Sequence, residues 1–413
     1  MRLLLVSHSA NDPNGGASRV YHFLADGLRK RGHEVQCLHL DDIAIPGAIQ
    51  KLATRCLLPS FVSRTAARVI RQSSIPFDVL FSSNGMLSPL YKRLKSEPKR
   101  PLLVNHIHGL NYFDHQATMS EVERGHGRVS ATYRYCTGPL PVRWDVEGAR
   151  HSDLSIVQNK RDEDFLLEKG FRCVERIPLA VHPAILEAGV SAPKQSDRNP
   201  ASLLWFGSWT ARKGMYYLPQ AFERVSERFP ETRLTIGGTA MTQQEIAAYF
   251  KESLRARTRV LPSISVEQQI AEMEGNAIFL FPSLSEGFGF AALEALAMGM
   301  ALVTTPTGFG GDLLVDRQHA RIVSAASASY LADAAIELIE RPELRGHLAE
   351  HGRRLAETLA LERMVSSYEQ AFEDALKRRA QLRRMLRQFI KIGNEWRVLP
   401  QATSRNSFEA GNQ

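Results

Sequence analysis

Ser285-Glu286-Gly287-Phe288-Gly289-Phe290-Ala291-Ala292-Leu293-Glu294-Ala295 sets two carboxylates eight residues apart, across a glycine-broken turn that runs into an alanine-rich segment. The run before it, Ala277-Ile278-Phe279-Leu280-Phe281, is short, apolar and unbroken, as in a parallel strand buried on both faces, and Pro282 stops it. The motif therefore belongs at a strand's carboxyl end. Gly287 and Gly289 let the backbone turn sharply and approach a ligand, and a helix beginning near Phe290 offers unpaired N–H groups to a diphosphate. Glu294, about one turn into that helix, leans back toward the same mouth as Glu286. Carboxylates repel phosphate, so these two suit the vicinal hydroxyls of a sugar and a ribose, at roughly 1.5 to 3 kcal/mol per charged hydrogen bond. Taken alone, a loop glutamate and a helix-start glutamate need only the helix dipole to explain them. It is the strand, proline, paired glycines and helix around them that point to a sugar-nucleotide site.

With 413 residues, the chain suits two domains better than one core. Its 44% hydrophobic and 23% charged residues are those of a water-soluble globular chain, and no apolar run approaches the roughly 18 residues that span a bilayer. The opening Arg2-Leu3-Leu4-Leu5-Val6 reads as a first strand rather than a signal peptide. Cys37, Cys56, Cys136 and Cys173 lack paired close spacing and are expected as buried thiols in a reducing compartment, with the cytoplasm as the default. The net charge of +8 is concentrated: residues 377–397 contribute +7 of it. The nearly neutral body, without interleaved aromatic and basic residues, argues against a nucleic-acid groove.

Strand-like runs at 3–6, 35–40, 79–81, 102–106 and 154–157 alternate with helix-like segments, the pattern of a parallel α/β sheet. Val20, Leu24 and Leu28 lie four apart on the first helix, and Gly32 is placed to end it. A breaker-rich stretch at 189–201 reads as a linker. A second series follows at 203–206, 234–236, 259–261, 277–281 and 301–304. The expected division is 1–188 for an acceptor-side domain, 202–375 for a nucleotide-sugar domain, 376–399 for a basic C-terminal helix and 400–413 for a disordered tail. The expected fold is α/β, two Rossmann-like doubly wound domains whose strand ends face each other across a cleft.

Gly15-Gly16 in the first loop, His106-Ile107-His108-Gly109 after a strand, Gly207-Ser208-Trp209-Thr210-Ala211-Arg212-Lys213-Gly214 after the linker, and Glu286 to Glu294 resemble the retaining glycosyltransferases of family 4, over most of residues 1 to about 375. The resemblance implies the GT-B architecture and a nucleoside diphosphate sugar as donor, with no metal cofactor. It also implies roles: Lys213 on the donor diphosphate, Glu294 on ribose hydroxyls, Glu286 on the transferred sugar, and backbone amides of Gly287, Phe288, Gly289 and Phe290 around sugar and phosphate. Gly16 lets the first loop approach, and His108 contributes from the acceptor domain. The departure is Ser208, where many relatives carry an arginine; Arg212 is the candidate substitute. Without the resemblance, Arg212 and Lys213 read as a solvated basic turn and His108 as an ordinary loop imidazole.

Asp162-Glu163-Asp164 has the form of a metal-binding Asp-x-Asp, but it sits where acidic residues start a helix. His106, His108, Asp114 and His115 lack zinc-type cysteine companions. No metal is expected. Two basic amphipathic stretches, 51–71 and the segment from Lys377, are candidates for contact with an anionic membrane surface; for the second, the first turns are expected to pack on the first domain and the membrane contact to lie beyond Phe389. A glycan or lipid-linked acceptor fits these features. An epimerase of the same fold and a non-catalytic sugar-nucleotide scaffold are the alternatives; a nicotinamide enzyme is disfavoured because Asn14-Gly15-Gly16-Ala17-Ser18-Arg19 lacks the Gly-x-Gly-x-x-Gly spacing.

Overall fold

A computed structural model describes residues 1–47, 50–387, 389–392 and 395–398, the side chains from 386 onward and that of residue 53 excepted. Strands β1 (Arg2–Val6), β2 (Glu34–Leu38), β3 (Val79–Ser83), β4 (Leu102–His106), β5 (Leu154–Val157) and β6 (Val174–Arg176) form one sheet, in the order β2-β1-β3-β4-β5-β6. Strands β7 (Ser202–Phe206), β8 (Arg233–Gly237), β9 (Thr258–Leu261), β10 (Ile278–Phe281), β11 (Ala301–Thr304) and β12 (Arg321–Ile322) form the second, in the order β12-β11-β10-β7-β8-β9. All neighbouring pairs in both sheets are parallel. The apolar runs explain this: β1, β3, β4, β10 and β11 are buried almost throughout, because helices cover both faces of a parallel sheet.

Helix Gly16–Lys30 lays Val20, Leu24 and Leu28 on the first sheet and ends at Gly32, whose φ of 85° reverses the chain. The expected linker is only partly irregular. Helix Pro183–Ser191 enters it, and the remainder is pinned by Arg198, whose guanidinium donates to the carbonyls of Asn276 at 2.6 Å and Met298 at 2.7 Å.

The C-terminal region differs from expectation. A single helix runs Leu361–Arg387, not 376–399, and an antiparallel pair, Phe389–Ile392 with Glu395–Val398, follows it. The basic residues from Lys377 therefore continue a helix already under way, and its earlier turns are amphipathic. Tyr368, Phe372 and Ala375 are buried in the same core as Tyr21 and Phe81 of the first domain. Arg379 donates to the Pro101 carbonyl at 2.6 Å, and Arg378 to Glu175 at 2.8 Å. The first turns thus pack on the N-terminal sheet, after a chain that has built the second one. The expectation for residues 400–413 lies outside the described residues. The cysteines also differ: Cys136 and Cys173 are exposed and Cys37 and Cys56 only half-buried, all as free thiols. Cys136 lies in a short π-helical turn, Tyr133–Thr137, and Cys173 in the loop just before β6.

The crossing of helices Gly16–Lys30 and Leu361–Arg387 is close enough to require a glycine. A β-carbon on Gly27 would stand 2.3 Å from a Val365 methyl. Gly27→Leu is expected to lower the unfolding free energy by about 1–3 kcal/mol through overpacking, measured by urea denaturation.

Candidate functional site

The site forms where the carboxyl ends of β1, β4, β7 and β10 converge between the two sheets. Gly289, at φ 105°, caps helix Phe290–Ala297, so the amides at the start of that helix open toward the loop 285–289. Glu286 in this loop accepts a hydrogen bond from Lys213 Nζ at 2.5 Å. Lys213 ends a short 3-10 turn, Ala211–Lys213, that leans on Pro282; a β-carbon on Gly214 would lie 2.3 Å from the Pro282 carbonyl oxygen. That contact brings the lysine over the strand end. Arg212 takes an intermediate place, 3.8 Å from Glu286 and 3.6 Å from Asp114 across the cleft, and donates to the Ser285 carbonyl at 3.3 Å. Ser208 is exposed.

Burial pushes the Glu286 carboxyl upward, but Lys213 and Arg212 outweigh it and hold the group below its ordinary value. Burial lowers Lys213, an effect only partly offset by Glu286. The pair is ionised and poorly solvated, which strengthens its field on anything that enters.

Glu294 is 2% exposed, and each of its oxygens has one partner: Arg19 pairs with Oε1, and Gln269 Nε2 donates to Oε2 at 2.6 Å. Arg19 stands one turn into the helix that begins at Gly16, so Gly16 and Arg19 approach the second domain together. A β-carbon on Gly16 would meet nothing within 4 Å, which leaves open space at the helix start. The Phe288 side chain turns inward against Phe309, at 5.4 Å between ring centroids, so this residue has only its backbone to offer the cleft.

His108 arrives from the other side. Its amide donates to Asn84 Oδ1 at 3.1 Å, while Asn84 Nδ2 donates to Gly109 O at 3.1 Å and Asp145 at 2.9 Å. Asp145 also accepts from the Asn111 amide at 2.8 Å, and Asp162 from the Leu110 amide at 3.2 Å. The loop 107–111 is thereby held at four points. It presses on the glutamate loop: a β-carbon on Gly287 would stand 1.9 Å from the His108 carbonyl oxygen, and Asn159 Nδ2 donates to Gly287 O at 2.6 Å. Beside Glu286 a cavity of about 620 Å³ opens, lined among others by Tyr112, Phe165, Asn159, Arg161 and Thr307.

Lys213, Arg212, Glu286, residues 287–290 and His108 thus come together, with Glu294 and Gly16 joined to the same cleft through Arg19. Arg19, Gln269, Asn84 and Asn159 were not anticipated from sequence. A signal existed only for Arg19, which lies three residues after Gly16 and so on the same side of the first helical turn. Asp162 belongs to helix Lys160–Glu168, where the Asn159 side chain accepts from the Asp162 amide. Among the described residues no group of three or more His, Cys, Asp or Glu is placed to hold a metal ion.

Residues 191–355 match the family model described as glycosyl transferases group 1. This segment, about two-fifths of the chain, is similar to the group 1 glycosyl transferases. It carries Lys213, Glu286 and Glu294, the charged groups of the cleft's second side. GDP-mannose:cellobiosyl-diphosphopolyprenol alpha-mannosyltransferase of Xanthomonas campestris is 25% identical over 250 residues, 54% of this chain and 63% of that protein. An uncharacterized glycosyltransferase of Methanocaldococcus jannaschii is 23% identical over 171 residues, 41% of this chain and 47% of that protein. The matches thus span about half to five-eighths of these curated relatives. In fold, the chain has the GT-B architecture. Sucrose-phosphate synthase from Thermosynechococcus elongatus superimposes with a TM-score of 0.72 at 16% identity, covering 91% of this chain and 100% of that one. HepE of Anabaena, solved with UDP and glucose, gives 0.61 at 15% identity, over 91% and 100%.

Burial raises the Asp162 carboxyl to about 8, with hydrogen bonds from Asn159 and Leu110 opposing the shift. A folded-state value above the ordinary carboxyl range means that the folded chain binds an extra proton between about pH 4 and that value, so this group's contribution to stability declines as pH rises through the window. Asp162→Asn removes that slope. Relative to the parent, the variant is expected to gain at least about 1 kcal/mol between pH 5 and pH 8, read from denaturant melts at the two pH values.

Proposed function

We propose that this protein is a retaining glycosyltransferase that moves a hexose from a nucleoside diphosphate sugar to a glycan or lipid-linked acceptor, in the building of surface polysaccharide or glycolipid. The observation that carries the reading is the buried Lys213–Glu286 pair at 2.5 Å, set beside the open start of helix Phe290–Ala297 with Glu294 one turn further on. Departure of a nucleoside diphosphate builds negative charge on the leaving oxygen. Lys213, Arg212 and the helix amides supply fixed positive charge for it, in a cleft where that charge is weakly screened. Glu286 exchanges its lysine for sugar hydroxyls when a donor enters, and Glu294 exchanges Arg19 or Gln269 for the ribose diol. His108 borders the sugar from the opposite domain. The transition state is oxocarbenium-like, and attack on the face the diphosphate leaves retains the anomeric configuration without a covalent nucleophile.

The Xanthomonas relative bears a name with a sugar nucleotide and a polyprenol-linked acceptor, which supports both halves of the reading. The cavity beside Glu286 has room for the acceptor's reacting sugar, with Tyr112 and Phe165 as apolar faces. No helix among the described residues is long and apolar enough to cross a membrane. Exposed Leu382 and Met385 next to Arg383 and Arg384 suit peripheral contact with an anionic surface, where each cation near the lipid adds about 1 kcal/mol.

Binding and slow hydrolysis of UDP-, GDP-, ADP- and dTDP-sugars should single out one donor. Glu294→Ala and Lys213→Ala should each weaken its binding by tenfold or more, in keeping with about 1.5–3 kcal/mol for a charged hydrogen bond. Binding of no donor by the parent protein would refute the reading; binding with acceptor-independent isomerisation would replace transfer by epimerisation.

A further inference from the structure

His106 ends β4 with no exposed surface. Its ring stacks on Phe81 at 5.0 Å and meets Tyr21, Tyr368 and His108 edge-on. Both of its nitrogens are engaged. Nε2 lies 2.7 Å from the Tyr368 hydroxyl and 3.1 Å from the Gln158 carboxamide nitrogen, and Nδ1 lies 3.3 Å from His108 Nε2. Tyr368 comes from helix Leu361–Arg387, 262 residues along the chain from His106.

The direction of each hydrogen bond follows from what the groups can give. The buried Tyr368 phenol has no other side-chain partner among the described residues, so its proton goes to His106 Nε2. The Gln158 amide donates to the same nitrogen. Two donors on one nitrogen make it an acceptor. Burial keeps His106 neutral, with its imidazolium lowered to about 3, so its single proton sits on Nδ1 and points at His108 Nε2. His108 is likewise held neutral by burial and by its two neighbouring histidines. Accepting at Nε2, it carries its proton on Nδ1.

We propose that Tyr368 and His106 are positioning residues, forming with Gln158 a proton-ordered chain that fixes His108 in its Nδ1–H tautomer and presents that N–H to the donor sugar. The role of the N–H rests on the placing of His108 in the donor site; the tautomer rests on the hydrogen bonds alone. No bond forms or breaks along the chain. Its consequence is a link between docking and chemistry: seating the C-terminal helix on the first domain supplies one of the two donors that keep His108 facing the cleft as a donor.

The test is the imidazole 15N spectrum of histidine-labelled protein, with His108 assigned by the signals lost in His108→Gln. In the parent, His108 should show a protonated Nδ1 and a bare Nε2. Tyr368→Phe together with Gln158→Leu removes both donors to His106, and the His108 signals should then move to the Nε2–H form or to a mixture. Turnover of the selected donor should fall about tenfold in kcat with KM changed less than twofold. Tyr368→Phe alone keeps the ring and one donor, so it controls for folding and should show a smaller shift in the same direction. A parent His108 protonated at Nε2, or an unchanged tautomer in the double variant, overturns the proposal. The spectrum needs no substrate: failure to bind any sugar nucleotide would count against the function proposed above, while the tautomer result would still decide the chain.

Discussion

Two backbone segments from different domains meet at Gly287 with no room for a side chain between them. The His108 carbonyl and the Gly287 α-carbon are so close that a β-carbon would overlap the oxygen at 1.9 Å, and one on Gly109, at φ 115°, would stand 2.8 Å from the Gly287 α-carbon. Asn159 spans the same seam with a 2.6 Å bond to Gly287 O. Because the contact is backbone against backbone, neither side can yield by changing a rotamer. It fixes how far the two strand-end faces close, and with that the separation between the His108 loop and the Lys213–Glu286 pair.

Closure also settles the electrostatics. Lys213 with Glu286, and Arg19 with Glu294, are nearly buried ion pairs, the second made across the domains. Removing one partner from such a pair leaves an uncompensated charge, a loss of about 3–5 kcal/mol in comparable cases. In the proposed reaction a nucleoside diphosphate sugar offers replacements of the right kind, phosphate oxygens for the cations and hydroxyls for the carboxylates. The ion pairs that hold the cleft together are then the ones that exchange partners with the donor. Asp145 and Asp162, raised by burial to about 7 and about 8, are spent on holding the His108 loop rather than on charge in the cleft.

The sequence revealed what depends on local pattern. Residues 277–281 could be read as a buried strand because five apolar residues run unbroken, and Gly287, Gly289 and Glu294 were legible because their spacing matches a turn entering a helix. Within the two parallel sheets the strands it missed are β6 and β12, three and two residues long and at most half-buried, too short for any periodicity to stand out. The end of the chain was misread for a different reason. A change in charge at Lys377 suggested a boundary, whereas the helix keeps its apolar stripe from Leu361 onward and simply becomes more basic. Arg19 on Glu294 and Tyr368 on His106 were out of reach, being separated by 275 and 262 residues. Such pairs exist only once two sheets and a crossing helix are assembled.

The claim on which the account turns is that the site is completed by the contact of His108 with Gly287. Gly287→Ala puts a methyl group into that contact without touching Lys213, Glu286 or Glu294. Small-angle X-ray scattering of the variant beside the parent tests it directly: the account predicts a wider, opened particle with unchanged secondary structure, retained nucleotide binding and turnover reduced at least tenfold. A variant as compact and as active as the parent would contradict it.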